Sequence, residues 1–172
     1  MGDKDYKFSF YTITDEYIGH LREFDKKVHH QYEDNASTYV GIVLRKNGFN
    51  YFVPLSSFSV NKDEKMKKRS QIVIRLFEVN NEENPLGYML FNNMIPVPDS
   101  ELINIQLDMS VPKHKMMLKQ LVYMKTIGEK IENKADLVYR KVVEEEVNYF
   151  LNFCCDFRLL EAKAILYKKN NS

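Results

Sequence analysis

Two adjacent hydroxyls, Ser56 and Ser57, close the apolar run Tyr51-Phe52-Val53-Pro54-Leu55, and the cations Lys62, Lys65, Lys67, Lys68 and Arg69 follow directly. Neutral hydrogen-bond donors beside mobile cations can grip a phosphate: a hydroxyl holds an oxygen, and an ammonium or guanidinium supplies charge. Ser-Ser after a strand is also ordinary turn chemistry, so these residue types alone leave a structural reading open. A second basic stretch, Lys113 to Lys141, holds eight cations against three anions and includes Lys113, Lys115 and Lys119.

Other chemistries are poorly served. There is no glycine-rich phosphate loop, no G-x-S-x-G elbow and no H-E-x-x-H pair. His29-His30 and Cys154-Cys155 are adjacent pairs. Neighbouring side chains in a regular element diverge, which argues against zinc and against an ordinary disulfide. The cysteines fit small buried hydrophobes, and the histidines fit cations at the end of a helix, with proton transfer as a further possibility.

The chain has 172 residues, 25 Lys plus Arg and 24 Asp plus Glu, for a net charge of +1. That neutrality hides local asymmetry. Residues 1–61 carry seven cations and eight anions, whereas residues 62–69 carry five and two. Clustered cations within a neutral total form the pattern of a polyanion-binding face. A chain of this length buries roughly 70% of its extended surface, so it folds without disulfides or a structural metal. No run approaches a membrane span, and Met1 to Tyr11 lacks the apolar core of a signal peptide, so the expected location is the cytoplasm.

The elements that must position these residues are strands first and helices afterwards. Tyr6 to Ile13 alternates in the period of a half-buried strand, and Thr14 can cap a helix that places Tyr17, Ile18, Leu21, Phe24 and Val28 on one face. Tyr39 to Arg45 and Phe49 to Val53 flank Asn47-Gly48, the signature of a tight hairpin. Pro54 is expected to end the second strand, and the polar stretch Leu55 to Ser70, without apolar periodicity, reads as a long exposed loop. Short strands resume at Gln71 to Phe77, Leu86 to Phe91 and Met94 to Val97. From Pro112 the period becomes helical, through Met117, Leu121, Met124, Ile131, Val138 and Val142 to a last helix at Leu159 to Tyr167. The expectation is one α+β domain over residues 1–172: a small curled antiparallel sheet or barrel at about 6–107, and helices at about 112–168.

The order of segments narrows the function. Phe10-Tyr11-Thr12-Ile13 before an amphipathic helix, then Tyr39-Val40-Gly41-Ile42-Val43-Leu44, Asn47-Gly48, the string Tyr51 to Ser57 (YFVPLSS), Lys65-Met66-Lys67, and Asn92 to Val97 (NNMIPV) closely resemble the ToxN/AbiQ family of type III toxins. The resemblance runs from about residue 8 to 140. It implies a compact barrel related to the MazF/Kid toxins with added helices. It further implies a metal-independent endoribonuclease, with no cofactor, that cuts its own repeat-containing RNA antitoxin and is inhibited by the folded product in a ring-like protein–RNA assembly. Cellular or phage RNA would be the other substrate, with neither DNA nor membrane as partner.

Carried over by position, Ser57 matches the family's serine at the end of its PLSS or PLTS string, Ser56 matches the hydroxyl before it, and Lys62 and Lys65 lie where the family keeps basic residues. The sequence departs just before Tyr39, where Ser37 and Thr38 stand in place of a usual Lys or Arg. Another group must then steady the phosphate, with His29, His30 and the loop lysines as candidates. In such a reaction the RNA's own 2′-hydroxyl attacks phosphorus, leaving a 2′,3′-cyclic phosphate and a 5′-hydroxyl. Ser57 would position the reacting atoms, and Lys62 or Lys65 would neutralise transition-state charge, worth about 3 kcal/mol per well-placed donor. Tyr32, Tyr39, Tyr51 and Phe58 are candidates to stack on splayed bases, and Lys67, Lys68, Arg69, Lys113, Lys115 and Lys119 to contact phosphates. A non-catalytic RNA-binding module of the same fold is the rival reading.

Overall fold

The structure, a computed structural model describing residues 4–30 and 36–170, is an α+β arrangement organised around one hairpin. Asn47 and Gly48 adopt φ of 53° and 81°, the left-handed conformation that a two-residue hairpin turn requires, and they join β2 (Tyr39–Lys46) to β3 (Phe49–Ser56). On one flank β2 pairs with β1 (Ser9–Ile13), which pairs with β7 (Leu102–Asn104). On the other, β3 pairs with β5 (Asn81–Leu90), which pairs with β4 (Val73–Glu78), while the short β6 (Ile95–Pro96) joins the middle of β3. Every pairing is antiparallel, in the order β4-β5-β3-β2-β1-β7.

The sheet is not closed. Its end strands β4 and β7 share no ladder: the three residues of β7 pair with β1, and β4 packs against helices. Pro54 does not end β3 as expected. It lies opposite Tyr39, beyond the Tyr51 and Phe52 pairings to β6 and just before Leu55 and Ser56 pair with Met89 and Tyr88 of β5. A residue without an N–H is tolerated there because β3 is changing partners.

A larger correction concerns the stretch read as a loop. Val60–Lys68 is a helix, α2, entered from an extended Ser59. Lys, Glu and Met are good helix formers, Asp63 sits in the first turn, and Lys65, Lys67 and Lys68 sit in the last, as the helix dipole favours. Apolar periodicity misses it because Met66 is its one buried residue.

Thr14 caps α1 (Asp15–Phe24) as expected, its Oγ1 accepting from the Tyr17 amide at 3.4 Å. The second half is helical, but as four separate pieces: α3 (Pro112–Thr126), α4 (Gly128–Val143), α5 (Asn148–Phe153) and α6 (Phe157–Asn170). Val147 is the residue from which α5 starts. No helix among the described residues is long and apolar enough to cross a membrane.

One buried carboxylate ties these layers together. Glu161 of α6, 7% exposed, accepts from Tyr51 Oη at 2.6 Å, Tyr139 Oη at 2.8 Å and Asn47 Nδ2 at 3.0 Å. Asn47 therefore serves the turn twice, through its backbone and through its amide. Burial, with the Glu161 carboxylate second, pushes the Tyr51 and Tyr139 hydroxyls up, so both remain donors. Cys154 and Cys155 are free and buried, and burial pushes the Cys154 thiol up to about 12. Replacing Glu161 by Ala leaves buried donors unpaired, and a loss on the order of 3 kcal/mol is expected, read as a lower urea midpoint with an unchanged slope.

Candidate active site

Where β3 passes from β2 to β5, its end meets α2, α3 and the segment after α1 around a cavity of about 250 Å³. Ser56, Ser57, Lys62, His29, Ser37, Thr38, Lys113 and the buried Gln120 line it. Lys62 Nζ donates to Ser56 Oγ at 2.9 Å, so the first cation of the basic stretch already touches the hydroxyl pair. Ser57 is exposed and available to a ligand. No carboxylate lies among the described lining residues, and the polar groups there are suited to donating toward an anion.

Lys62 is held in place by polar contacts of its neighbour. Asp63 accepts from Arg75 of β4 in a two-pronged contact, at 3.0 Å from Nε and 2.6 Å from Nη2, and from Tyr88 Oη of β5 at 2.9 Å. Burial raises the Asp63 carboxyl. The Arg75 and Tyr88 hydrogen bonds, with the charges of Arg75 and Lys67, outweigh this and hold it below the usual carboxylate range. The Tyr88 ring also lies under Lys62, with Nζ 5.8 Å from its centroid, and against Phe58 at 6.2 Å between centroids. The floor is equally fixed. Gly87 has φ of 135°, and a Cβ there would stand 2.7 Å from the Ser56 carbonyl oxygen, so β5 approaches β3 as closely as it does only with glycine. Gln120 of α3 donates to the Leu86 carbonyl at 2.7 Å beside it.

The wall containing His29 is built from α1. The Arg22 guanidinium donates to the carbonyls of Lys26 and Val28, and Val28 is buried. Asn93 Nδ2 donates to the Lys27 carbonyl at 2.6 Å, and Lys27 Nζ reaches the carbonyls of Leu151 and Cys154. The next residue, His29, has its Nδ1 3.1 Å from Ser37 Oγ. Burial, followed by the charges of Arg22, Lys62 and His30, lowers the His29 pKa from its ordinary value.

A family model described as toxin ToxN of type III toxin–antitoxin systems matches residues 9–164. The chain belongs to the ToxN family. It is 64% identical over 166 residues to endoribonuclease AbiQ of Lactococcus lactis subsp. lactis, covering 95% of this chain and 91% of that protein. It is 36% identical over 172 residues to endoribonuclease ToxN of Bacillus thuringiensis subsp. kurstaki, covering 94% and 85%. Among solved structures, AbiQ, described as a lactococcal anti-phage endoribonuclease of a type III system, superposes with a TM-score of 0.92 at 65% identity, over 95% of this chain and 99% of that one. A toxin from work on selective toxin inhibition by a non-coding RNA pseudoknot gives 0.80 at 35% identity, over 95% and 99%.

Within this ToxN-family site, Ser56, Ser57, Lys62, His29 and Lys113 come together, with Lys113 drawn in from the helical half. Lys65 does not line the cavity: it lies exposed on α2. Lys67 is paired with Glu64 at 3.1 Å and Asp63 at 3.7 Å, Arg69 lies over the Phe153 ring at 4.7 Å, and Lys68 is exposed outside the cavity. His30 and Lys115 are also outside the lining, and Lys119 pairs with Glu78 at 3.1 Å. Tyr39 and Tyr51 are fully buried, so neither ring offers a stacking surface, and the Tyr39 hydroxyl has no hydrogen-bond partner among the described residues. Phe58 is half-buried, and Tyr32 falls outside the described residues.

Sequence reasoning missed Asp63, Arg75, Tyr88, Gly87 and Gln120 as supports, because nothing in their local spacing announces them. Asp63→Asn is expected to lower RNA cleavage more than RNA binding. Since its folded-state pKa is depressed, the wild-type advantage in urea midpoint is present above about pH 4 and shrinks as pH falls through the folded value. Gly87→Ala is expected to displace Ser56 and reduce cleavage, with circular dichroism reporting a retained fold.

Proposed function

We propose that this member of the ToxN family is an endoribonuclease toxin of a type III system, cutting RNA without a metal and inhibited by the folded RNA it cuts from its own repeats. The observation that carries the reading is the cavity in which Ser56, Ser57, Lys62 and Lys113 meet, with no carboxylate among its described lining residues. The relatives AbiQ and ToxN, both endoribonucleases, support the activity, and the pseudoknot inhibitor of the structural relative supports an RNA antitoxin as partner. In this reading the 2′-hydroxyl of RNA attacks the adjacent phosphorus. Ser57 and Ser56 hold the sugar–phosphate in line, and Lys62 offsets the charge gathering on the phosphate oxygens. Lys113 binds a neighbouring phosphate from the rim. A barrel relationship to the MazF/Kid toxins belongs to the same reading, supported by the way β3 turns from one partner strand to another at Pro54.

A second open groove, of about 1020 Å³, has Lys4, Lys125, Lys130 and Lys134 in its lining against one acid, Glu129. It suits the phosphates of a larger folded RNA, whose affinity falls as salt rises. An RNA occupying this groove on one toxin copy and the cavity on another would bridge the two, the route to a closed ring.

Purified protein with unstructured RNA in EDTA tests the proposal. Cleavage leaving 5′-hydroxyl and 2′,3′-cyclic phosphate ends is expected, and Ser57→Ala should slow it by about 100-fold or more with RNA affinity within about threefold. RNA left intact by folded wild-type protein would instead favour a non-catalytic RNA-binding module.

A further inference from the structure

The reaction needs a group that accepts the 2′-hydroxyl proton, and the lining of the cavity narrows the choice. Ammonium groups such as those of Lys62 and Lys113 donate and do not accept, serine hydroxyls are feeble bases, and Gln120 is committed to the Leu86 carbonyl. Among the described lining residues, imidazole is the remaining side chain suited to taking a proton near neutral pH.

Resting on the nuclease reading above, we propose that His29 is the general base of the reaction, with Ser37 as the residue that fixes its ring. The geometry has two parts. His29 shares the cavity with Ser56, Ser57 and Lys62, while its backbone is pinned through the Arg22 contacts to Lys26 and Val28 and the Asn93 contact to Lys27. Its Nδ1 is engaged by Ser37 Oγ at 3.1 Å. An Nδ1–H donating to that hydroxyl selects the tautomer with an unprotonated Nε2, the nitrogen that must take the proton. Ser37 thus has a task of its own at the position where the family resemblance led one to expect a cation.

The surrounding charges act in the same direction. Among the described residues, the charged or titratable groups facing this wall are Arg22 from α1, Lys62 from α2, the adjacent His30 and Lys113 from α3, all of them bases. Burial and these cations favour the unprotonated imidazole, the form that can accept a proton.

In the step itself the 2′-oxygen bonds to phosphorus as its proton passes to His29 Nε2. The bond from phosphorus to the 5′-oxygen breaks, and that oxygen takes a proton from water at the open mouth of the cavity. The imidazolium then returns its proton to solvent, so no charge or electron is left over.

The test is single-turnover cleavage of a short unstructured RNA in EDTA from about pH 5 to 9, with binding read separately on the same sequence carrying 2′-O-methyl groups. The wild type should show a rate that falls on the acid side, at lower pH than an ordinary imidazole would give, and is level above that limb. His29→Ala and His29→Gln should lose about 100-fold or more in rate, lose the acid limb, and bind the methylated RNA within about threefold of wild type. Added imidazole should restore part of the His29→Ala rate. Ser37→Ala should keep the acid limb and lower the plateau. A wild type that cleaves while both His29 variants retain its rate and its acid limb overturns the assignment and leaves the nuclease reading standing. Rate and binding falling in parallel, without imidazole rescue, also overturns it, making His29 a phosphate contact. A wild type that leaves RNA intact overturns both.

Discussion

The contact between Asp63 and the pair Arg75 and Tyr88 fixes everything that happens at the cavity, because it decides where α2 lies. That helix buries a single apolar residue, Met66, which is too little to orient nine residues on a sheet. A two-pronged guanidinium–carboxylate contact adds direction as well as energy, since both N–H bonds must point at both oxygens. Directed this way, α2 presents Lys62 to Ser56 at its first turn and turns its other lysines to solvent. Moving the anchor would leave the fold's apolar core in place and dissolve the site.

The site is otherwise an exercise in leaving charge uncompensated. Elsewhere on the described surface cations find partners: Lys4 with Glu132, Lys46 and Arg140 with Asp136, Lys119 with Glu78. Inside the cavity Lys62 meets a hydroxyl, Lys113 shares a described lining without a carboxylate, and Asp63, next to Lys62 in the chain, is occupied by Arg75. Cations without counter-charge in a confined space favour an anionic ligand, and they favour most the species with the greatest anionic charge. A neutral imidazole fits that environment, because surrounding cations disfavour its protonated form until a substrate supplies the proton.

The supports behind the site are polar and placed far apart in sequence, whereas the core that carries them is aromatic. Tyr17, Tyr39, Tyr51, Tyr88, Phe52, Phe91 and Phe157 are among its largest fully buried side chains. Two of these tyrosine hydroxyls find buried partners, Tyr51 at Glu161 and Tyr17 at the Pro96 carbonyl. A related arrangement, a carboxylate receiving a tyrosine hydroxyl together with a guanidinium, stands at Asp63 beside the cavity.

By itself the sequence determined the hairpin at Asn47-Gly48, the Thr14 cap, the strand-then-helix order and the pairing of Ser56 and Ser57 with a cationic stretch, because each is written in the types and spacing of near neighbours. Its motif strings were also enough to point to the family. It misread α2 as a loop and Pro54 as a strand end, since the features that hold them, Arg75 and a change of partner strand, are supplied by other parts of the chain. Which of many lysines reaches the serines, which tyrosines are sealed away, and that His29 and Lys113 share a cavity were decided by tertiary structure alone. Charge and aromaticity can be counted along a chain, but burial and direction exist only after distant segments have packed.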